Sequence, residues 1–107
     1  MLPKEKRVTK KDFSVLLKEG KTFSTQLFLF YYIKSKTPKY AFVAPKNLFK
    51  KATKRNKYRR IGYNIIRIIN LKQGTGVFIY KKQALNATQA EIKDNVLFIF
   101  KKFGFFE

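Results

Sequence analysis

Lys50-Lys51-Ala52-Thr53-Lys54-Arg55-Asn56-Lys57-Tyr58-Arg59-Arg60-Ile61-Gly62-Tyr63-Asn64-Ile65-Ile66-Arg67-Ile68-Ile69-Asn70-Leu71 is the stretch on which the fold turns. At 100° steps, Tyr58, Ile61, Ile65, Ile68 and Ile69 share one arc. Asn56, Arg60, Tyr63 and Arg67 lie opposite, with Arg55 and Arg59 at the flank. The isoleucine run alone would suit a strand. The separation of charge from isoleucine predicts a helix over about 50–71, with the isoleucine arc as its core face. Gly62 weakens that helix by about 1 kcal/mol relative to Ala.

Short strands flank it. Residues 40–44 read as one, stopped by Pro45. Gln73-Gly74-Thr75-Gly76 is a turn, and residues 77–80 form a buried strand. If these two strands are parallel, the helix between them is a crossover. Further upstream, residues 22–33 are rich in Phe, Tyr and Leu and predict a strand. The polar run Lys34-Ser35-Lys36-Thr37-Pro38-Lys39 then predicts a turn, and the economical reading is a hairpin of 22–33 with 40–44. Alternation sets Phe28, Phe30 and Tyr32 on one face of the long strand and Leu27, Leu29, Tyr31 and Ile33 on the other.

A helix at each end completes the pattern. Thr9-Lys10-Lys11-Asp12 is a capping box opening a helix over about 10–19, with Phe13, Leu16 and Leu17 on one face. Gly20 is placed to end it in a left-handed conformation. Thr88-Gln89-Ala90-Glu91 is a stronger box, followed by a core face of Ile92, Val96, Ile99 and Phe103, with Gly104 as cap. Helices and a small sheet in this order predict an α+β or α/β sandwich. With 107 residues there is room for one domain and one core, so 1–107 reads as a single domain with 1–8 as a short basic arm.

Charge restricts function. The chain holds 25 Lys and Arg against 6 Asp and Glu, a formal net charge of +19, which calls for a polyanionic partner. There is no His and no Cys, which excludes their nucleophiles, a His base and a zinc site. The acids Glu5, Asp12, Glu19, Glu91, Asp94 and Glu107 are scattered, whereas a metal-dependent nuclease needs several converging carboxylates. The longest apolar run, 27–33, is seven residues, against ~20 for a membrane span. Residues 1–7 lack the apolar stretch of a signal peptide, so a cytoplasmic protein is expected and no membrane partner.

From Lys46 to Arg60 there are eight cations in fifteen residues and no acid. Charge runs are commonly solvated helix faces. This one lacks the acids that would form i, i+4 pairs, and the rest of the chain offers no relief. Three of the five Arg (Arg55, Arg59 and Arg60) cluster beside Asn56. A guanidinium fork clamps a phosphate or a base edge at two points. Aromatics beside cations also suit single-stranded bases, although core packing is the commoner role of each ring.

Arg55-Asn56-Lys57-Tyr58-Arg59-Arg60, preceded by Lys51-Ala52-Thr53-Lys54, resembles the RNR signature of the bacterial ribonuclease P protein component. Leu2-Pro3-Lys4, Lys11-Asp12-Phe13, Lys18-Glu19-Gly20 and Phe30-Tyr31-Tyr32 are also similar to that family. The resemblance implies a compact α-β sandwich in the order αβββαβα, a small mixed sheet packed by helices, with a left-handed crossover through the RNR helix. It implies the protein subunit of an endoribonuclease that removes the 5′ leader of precursor tRNA. The RNA subunit would be catalytic and hold Mg²⁺, and the partners would be that RNA and precursor tRNA, with no DNA expected. Contacts to the RNA subunit would fall on Lys46, Lys50, Lys51, Lys54, Arg55, Asn56, Arg59, Arg60 and Arg67. The leader cleft would hold Phe13, Leu17, Tyr31, Lys81 and Lys82, with Leu17 where the family often has a second aromatic. A ribosomal protein or RNA chaperone is the alternative that shares the charge and size but lacks the paired motifs. A DNA-binding helix-turn-helix would need a partner helix beside the basic one, and none stands there.

Overall fold

The computed structural model describes residues 8–34, 39–68 and 74–103. Helix α1 spans Lys10–Glu19 and opens on the expected capping box. The Asp12 amide donates to Thr9 Oγ1 at 3.1 Å, and the Thr9 amide donates to Asp12 Oδ2 at 3.0 Å. The Thr9 backbone N–H is the main cause that holds the Asp12 carboxyl below its usual range; burial opposes it, and the Thr9 hydroxyl and Lys39 add to the lowering. Gly20 ends α1 in an extended conformation, φ −71° and ψ 151°, which corrects the left-handed cap. Among the described residues the left-handed glycine is Gly74, φ 107°, whose carbonyl accepts from the Lys39 amide at 3.0 Å.

Four strands follow: β1 Lys21–Ser24, β2 Phe28–Ile33, β3 Lys39–Val43 and β4 Thr75–Tyr80, with helix α2 at Ala52–Ile68 and α3 at Gln89–Phe103. The order αβββαβα is the one the resemblance implied. The sheet runs β1-β2-β4-β3, antiparallel except for the β3–β4 pair. Helix α2 is thus a crossover between parallel neighbours.

Two expectations about the strands need correction. The stretch 22–33 is not one strand. It turns at Thr25, whose amide donates to the Phe28 carbonyl at 2.9 Å while its hydroxyl accepts from the Phe28 amide at 3.1 Å. A Ser-Thr-Gln run supplies the side chains such a turn uses, and the Leu27 amide is held by Asn95 Oδ1 at 3.3 Å. Nor do β2 and β3 form a hairpin, because β4 lies between them. Five of the six β4 residues are buried, so it takes the centre, covered on both faces. Residues 35–38, where the turn was expected, lie outside the described residues.

One sheet face carries the row Phe23, Phe30, Phe78 and Phe42, in register across all four strands. The Phe42 and Phe78 rings stack at 4.6 Å, and Phe30 lies 4.5 Å from Phe78. Helices α2 and α3 close this face. From α3, Ile92, Val96 and Ile99 are buried as expected, joined by Phe100, edge-on to Phe78 at 5.4 Å. The Phe103 side chain and Gly104 are outside the described residues. The Thr88–Glu91 capping box forms, and a 3-10 turn at Lys82–Asn86, unforeseen from the sequence, leads into it.

The α2 core face also differs from the isoleucine arc. Tyr58, Gly62, Ile65 and Ile66 are buried, Ile61 is half-buried and Ile68 is 74% exposed. Tyr63, assigned to the solvent side, packs edge-on to Phe42 at 5.6 Å. Ile69 to Gln73 lie outside the described residues. The cause is Gly62: a Cβ there would stand 2.3 Å from Phe42 Cδ1. The missing side chain lets the helix touch the sheet at its glycine, and the stripe centres there. Tyr80 then reaches the Tyr58 carbonyl through its hydroxyl at 2.7 Å. Lys50 and Lys51, expected in the helix, precede it. Phe49, fully buried against Tyr58 at 4.6 Å, fastens that entry.

No helix among the described residues is long and apolar enough to cross a membrane. Gly62→Ala should gain about 1 kcal/mol in helix propensity and lose more by overpacking, which costs about 1–3 kcal/mol. The expected net result is a lower denaturant midpoint with an unchanged slope. An increase would mean that α2 does not seat on Phe42.

Candidate nucleic-acid interface

The outer face of α2 is built from residues that contribute little to the core. Asn56, Arg59, Arg60 and Arg67 are exposed, as are Lys54 and, before the helix, Lys46, Lys50 and Lys51. No acid stands anywhere in α2. Cations in a first turn oppose the helix dipole, and the free amides there favour an anion. An external phosphate would relieve both.

The arginines differ in freedom. Arg55 is half-buried and donates through Nη1 to the carbonyls of Phe49 at 2.8 Å and Lys50 at 3.1 Å. Part of its guanidinium therefore holds the approach to α2. Arg59 donates to Asn56 Oδ1, which orients the amide and leaves the rest of the fork outward. Asn56, Arg59, Arg60 and Tyr63 line an open hollow of about 390 Å³. On the other flank Lys57, Arg60 and Asn64 face Gln89 and Lys93 of α3 across a groove of about 490 Å³. The sequence reading missed Tyr63 and Lys93 as lining residues. Tyr63 was hidden by the rotation of the core stripe, and Lys93 by its distance along the chain.

The second sheet face has thinner cover. Register places Leu29, Tyr31 and Ile33 of β2 beside Val77 and Ile79 of β4, and Ala41 and Val43 of β3 beyond them. Helix α1 packs here on β2 and β4. Leu16 and Val77 are buried, while Tyr31, Ile79, Ala41 and Val43 remain partly open. Phe13 is half-buried and Leu17 is 54% exposed on the same helix. Lys39 Nζ, 3.3 Å from Asp12 Oδ2, ties α1 to the β3 edge.

Phe13, Leu17 and Tyr31 thus belong to one side of the sheet, and the basic α2 residues to the other. Lys81 is engaged elsewhere: its ammonium donates to Ser24 Oγ and, at 2.8 Å, to the Thr25 carbonyl. Lys82 is exposed at the start of the 3-10 turn.

A family model described as Ribonuclease P matches residues 2–104. The RNase P protein of Thermotoga maritima superposes with a TM-score of 0.80 at 24% identity, covering 90% of this chain and 96% of that one. That of Staphylococcus aureus superposes at 0.82 and 20% identity, covering 97% and 100%. At such identities the likeness is one of fold. No curated protein sequence matches significantly. The chain belongs to the ribonuclease P protein family and is a protein subunit of that endoribonuclease. Its partner is accordingly an RNA subunit.

Arg59→Ala with Arg60→Ala should weaken RNA binding and leave the thermal midpoint level or raised, since repulsion falls. The log–log salt dependence of binding should flatten by roughly 0.7–0.9 per lost phosphate contact. Arg55→Ala should differ by also lowering stability, by about 1–2 kcal/mol. Equal midpoints for both variants would show that the Arg55 bonds to the Phe49 and Lys50 carbonyls do not support the helix.

Proposed function

We propose that this ribonuclease P protein anchors the catalytic RNA on the outer face of α2 and receives the 5′ leader of precursor tRNA between α1 and the sheet. The observation that carries the first part is the acid-free, outward arginine–asparagine face of α2. Arg59, Arg60, Asn56 and Arg67 make directed contacts there. Lys46, Lys50, Lys51 and Lys54 add point charges that track phosphates, and Arg55 contributes whatever of its fork the carbonyls leave free.

The second part is supported by the open strip of the α1 face. Half-buried Tyr31 and Phe13 present ring edges or faces to a strand of unpaired nucleotides, and a base stacked on such a ring gains roughly 1–3 kcal/mol. Leu17 adds apolar surface and no stacking plane. Lys82 is free to meet a leader phosphate. Lys81 positions the β1–β2 turn, so its part in the cleft is indirect. Residues 1–107 act as one RNA-binding domain on this reading, with 1–8 as a basic arm.

Hydrolysis in this assignment is the work of the RNA subunit, which holds the Mg²⁺. Among the described residues no three His, Cys, Asp or Glu side chains gather. The described residues therefore do not form a magnesium centre of their own. Their contribution is charge: cations along the RNA lower the Mg²⁺ concentration needed for folding and substrate binding.

Purified protein alone should leave precursor tRNA intact. Together with a bacterial ribonuclease P RNA at low Mg²⁺ it should give one cut at the 5′ end. Cleavage by RNA-free protein that survives nuclease treatment would overturn the assignment. Tyr31→Ala should reduce affinity for leader-bearing precursor by about 1 kcal/mol or more while binding of mature tRNA holds. Phe13→Ala should do the same, read as the ratio of the two substrates so that loss of folded protein cancels. An unchanged ratio in both variants would return these rings to the core.

A further inference from the structure

Phe98 is an aromatic side chain that α3 leaves outside the buried core. Helix α3 already buries Ile92, Val96, Ile99 and Phe100, yet Phe98 stands 54% exposed. It stacks on Phe23 of β1, centroids 6.1 Å apart, and Lys102 Nζ lies 5.6 Å from the Phe23 ring centre. Beside Phe98 a hollow of about 350 Å³ opens between α3 and the β1–β2 turn. Ser24, Thr25, Gln26, Asp94 and Asn95 complete its lining.

The lining is prepared rather than incidental. Asn95 bridges its two walls, accepting from the Leu27 amide at 3.3 Å and donating to the Glu91 carbonyl at 3.1 Å. Lys81 pins the turn from below through Ser24 and Thr25. Asp94 is exposed and forms no ion pair among the described residues, in a chain of net charge +19. A carboxylate at this point opposes a phosphate in the notch itself. It suits an amino edge, and guanine offers two adjacent N–H donors to one carboxylate. Lys102, over the Phe23 ring on which Phe98 stacks, is a nearby cation that suits the adjoining backbone. A second copy of the chain is disfavoured by the repulsion of two molecules at +19 each.

We propose that the notch formed by Phe98, Asp94 and the β1–β2 turn binds one unpaired guanosine of the RNA subunit. Its base stacks on Phe98 and its Watson–Crick edge meets Asp94. Recognition of splayed-out bases by stacking and edge contacts is the usual mode for single-stranded RNA. The RNA subunit is the source because the notch belongs to the helical layer that carries α2, across the sheet from the α1 strip. This rests on α2 anchoring that RNA.

The test uses the full chain with labelled oligouridines that carry or lack one central guanosine, at salt that suppresses non-specific binding. The parent should prefer the guanosine. Phe98→Ala should lose about fivefold or more of that affinity, and Phe98→Tyr should keep it. Asp94→Asn should erase the preference and leave oligouridine binding unchanged. Asp94 is a surface position, so this variant carries the test even if Phe98→Ala is unstable. In the holoenzyme, Phe98→Ala should weaken assembly with the RNA subunit and leave the ratio of precursor to mature tRNA binding as it was. Parent-like binding by Phe98→Ala and Asp94→Asn overturns the site. A change in that ratio without a change in assembly would assign the nucleotide to the substrate and overturn the source. Loss of self-association by Phe98→Ala, with RNA binding intact, would make the surface a contact between copies. If the Arg59–Arg60 double variant also assembles normally, the α2 reading falls; if that variant alone fails to assemble, only the notch does.

Discussion

The close approach of Gly62 to the Phe42 ring governs the arrangement of this molecule. A glycine in mid-helix is unfavourable by itself, but here it removes the one Cβ that would hold α2 off the sheet. Phe42 is in turn wedged by Phe78 on one side and Tyr63 on the other. With the helix seated on its glycine, Tyr58 and Ile65 and Ile66 turn inward. Asn56, Arg59 and Arg60 are thereby turned outward as a group. The contact that closes the core is the same one that aims the arginines.

Charge supplies the second constraint. The chain carries +19, and its described residues contain one ion pair, Lys39 with Asp12. That pair belongs to α1, not to α2. A helix whose first turn holds cations and no acid has its dipole uncompensated. Such a surface is tolerated because the aromatic core is strong and the cations are solvated. It becomes favourable when a polyanion arrives and releases its counterions. The protein is therefore better satisfied electrostatically in a complex with RNA than alone, which is the physical content of its being a subunit.

The sheet divides the work. One face is closed by two helices over a row of four phenylalanines. Among the described residues the other is covered by α1 alone, and Tyr31 and its neighbours stay partly accessible. Two helices on one side and one on the other produce an open strip without any cavity having to be carved from the core. The same economy leaves Phe98 outside, since α3 needs only one stripe for packing.

The amino-acid sequence by itself determined the end helices with their capping boxes, the basic run and its scarce arginines, and the lack of His and Cys. These are local or compositional properties: a Thr–Asp or Thr–Glu box forms within four residues, and charge needs no fold to be counted. The break at Thr25 and the insertion of β4 between β2 and β3 were decided by tertiary structure, because strand order follows from which strand must be covered twice. The α2 face was misread for a related reason. Periodicity follows the isoleucines, whereas the contact follows the glycine, and only the position of Phe42 shows why. Arg55 and Lys81 look like free cations in sequence, and they acquire structural partners only when Phe49, Ser24 and Thr25 are brought to them. The notch beside Phe98 joins residues about seventy positions apart, which no local pattern announces.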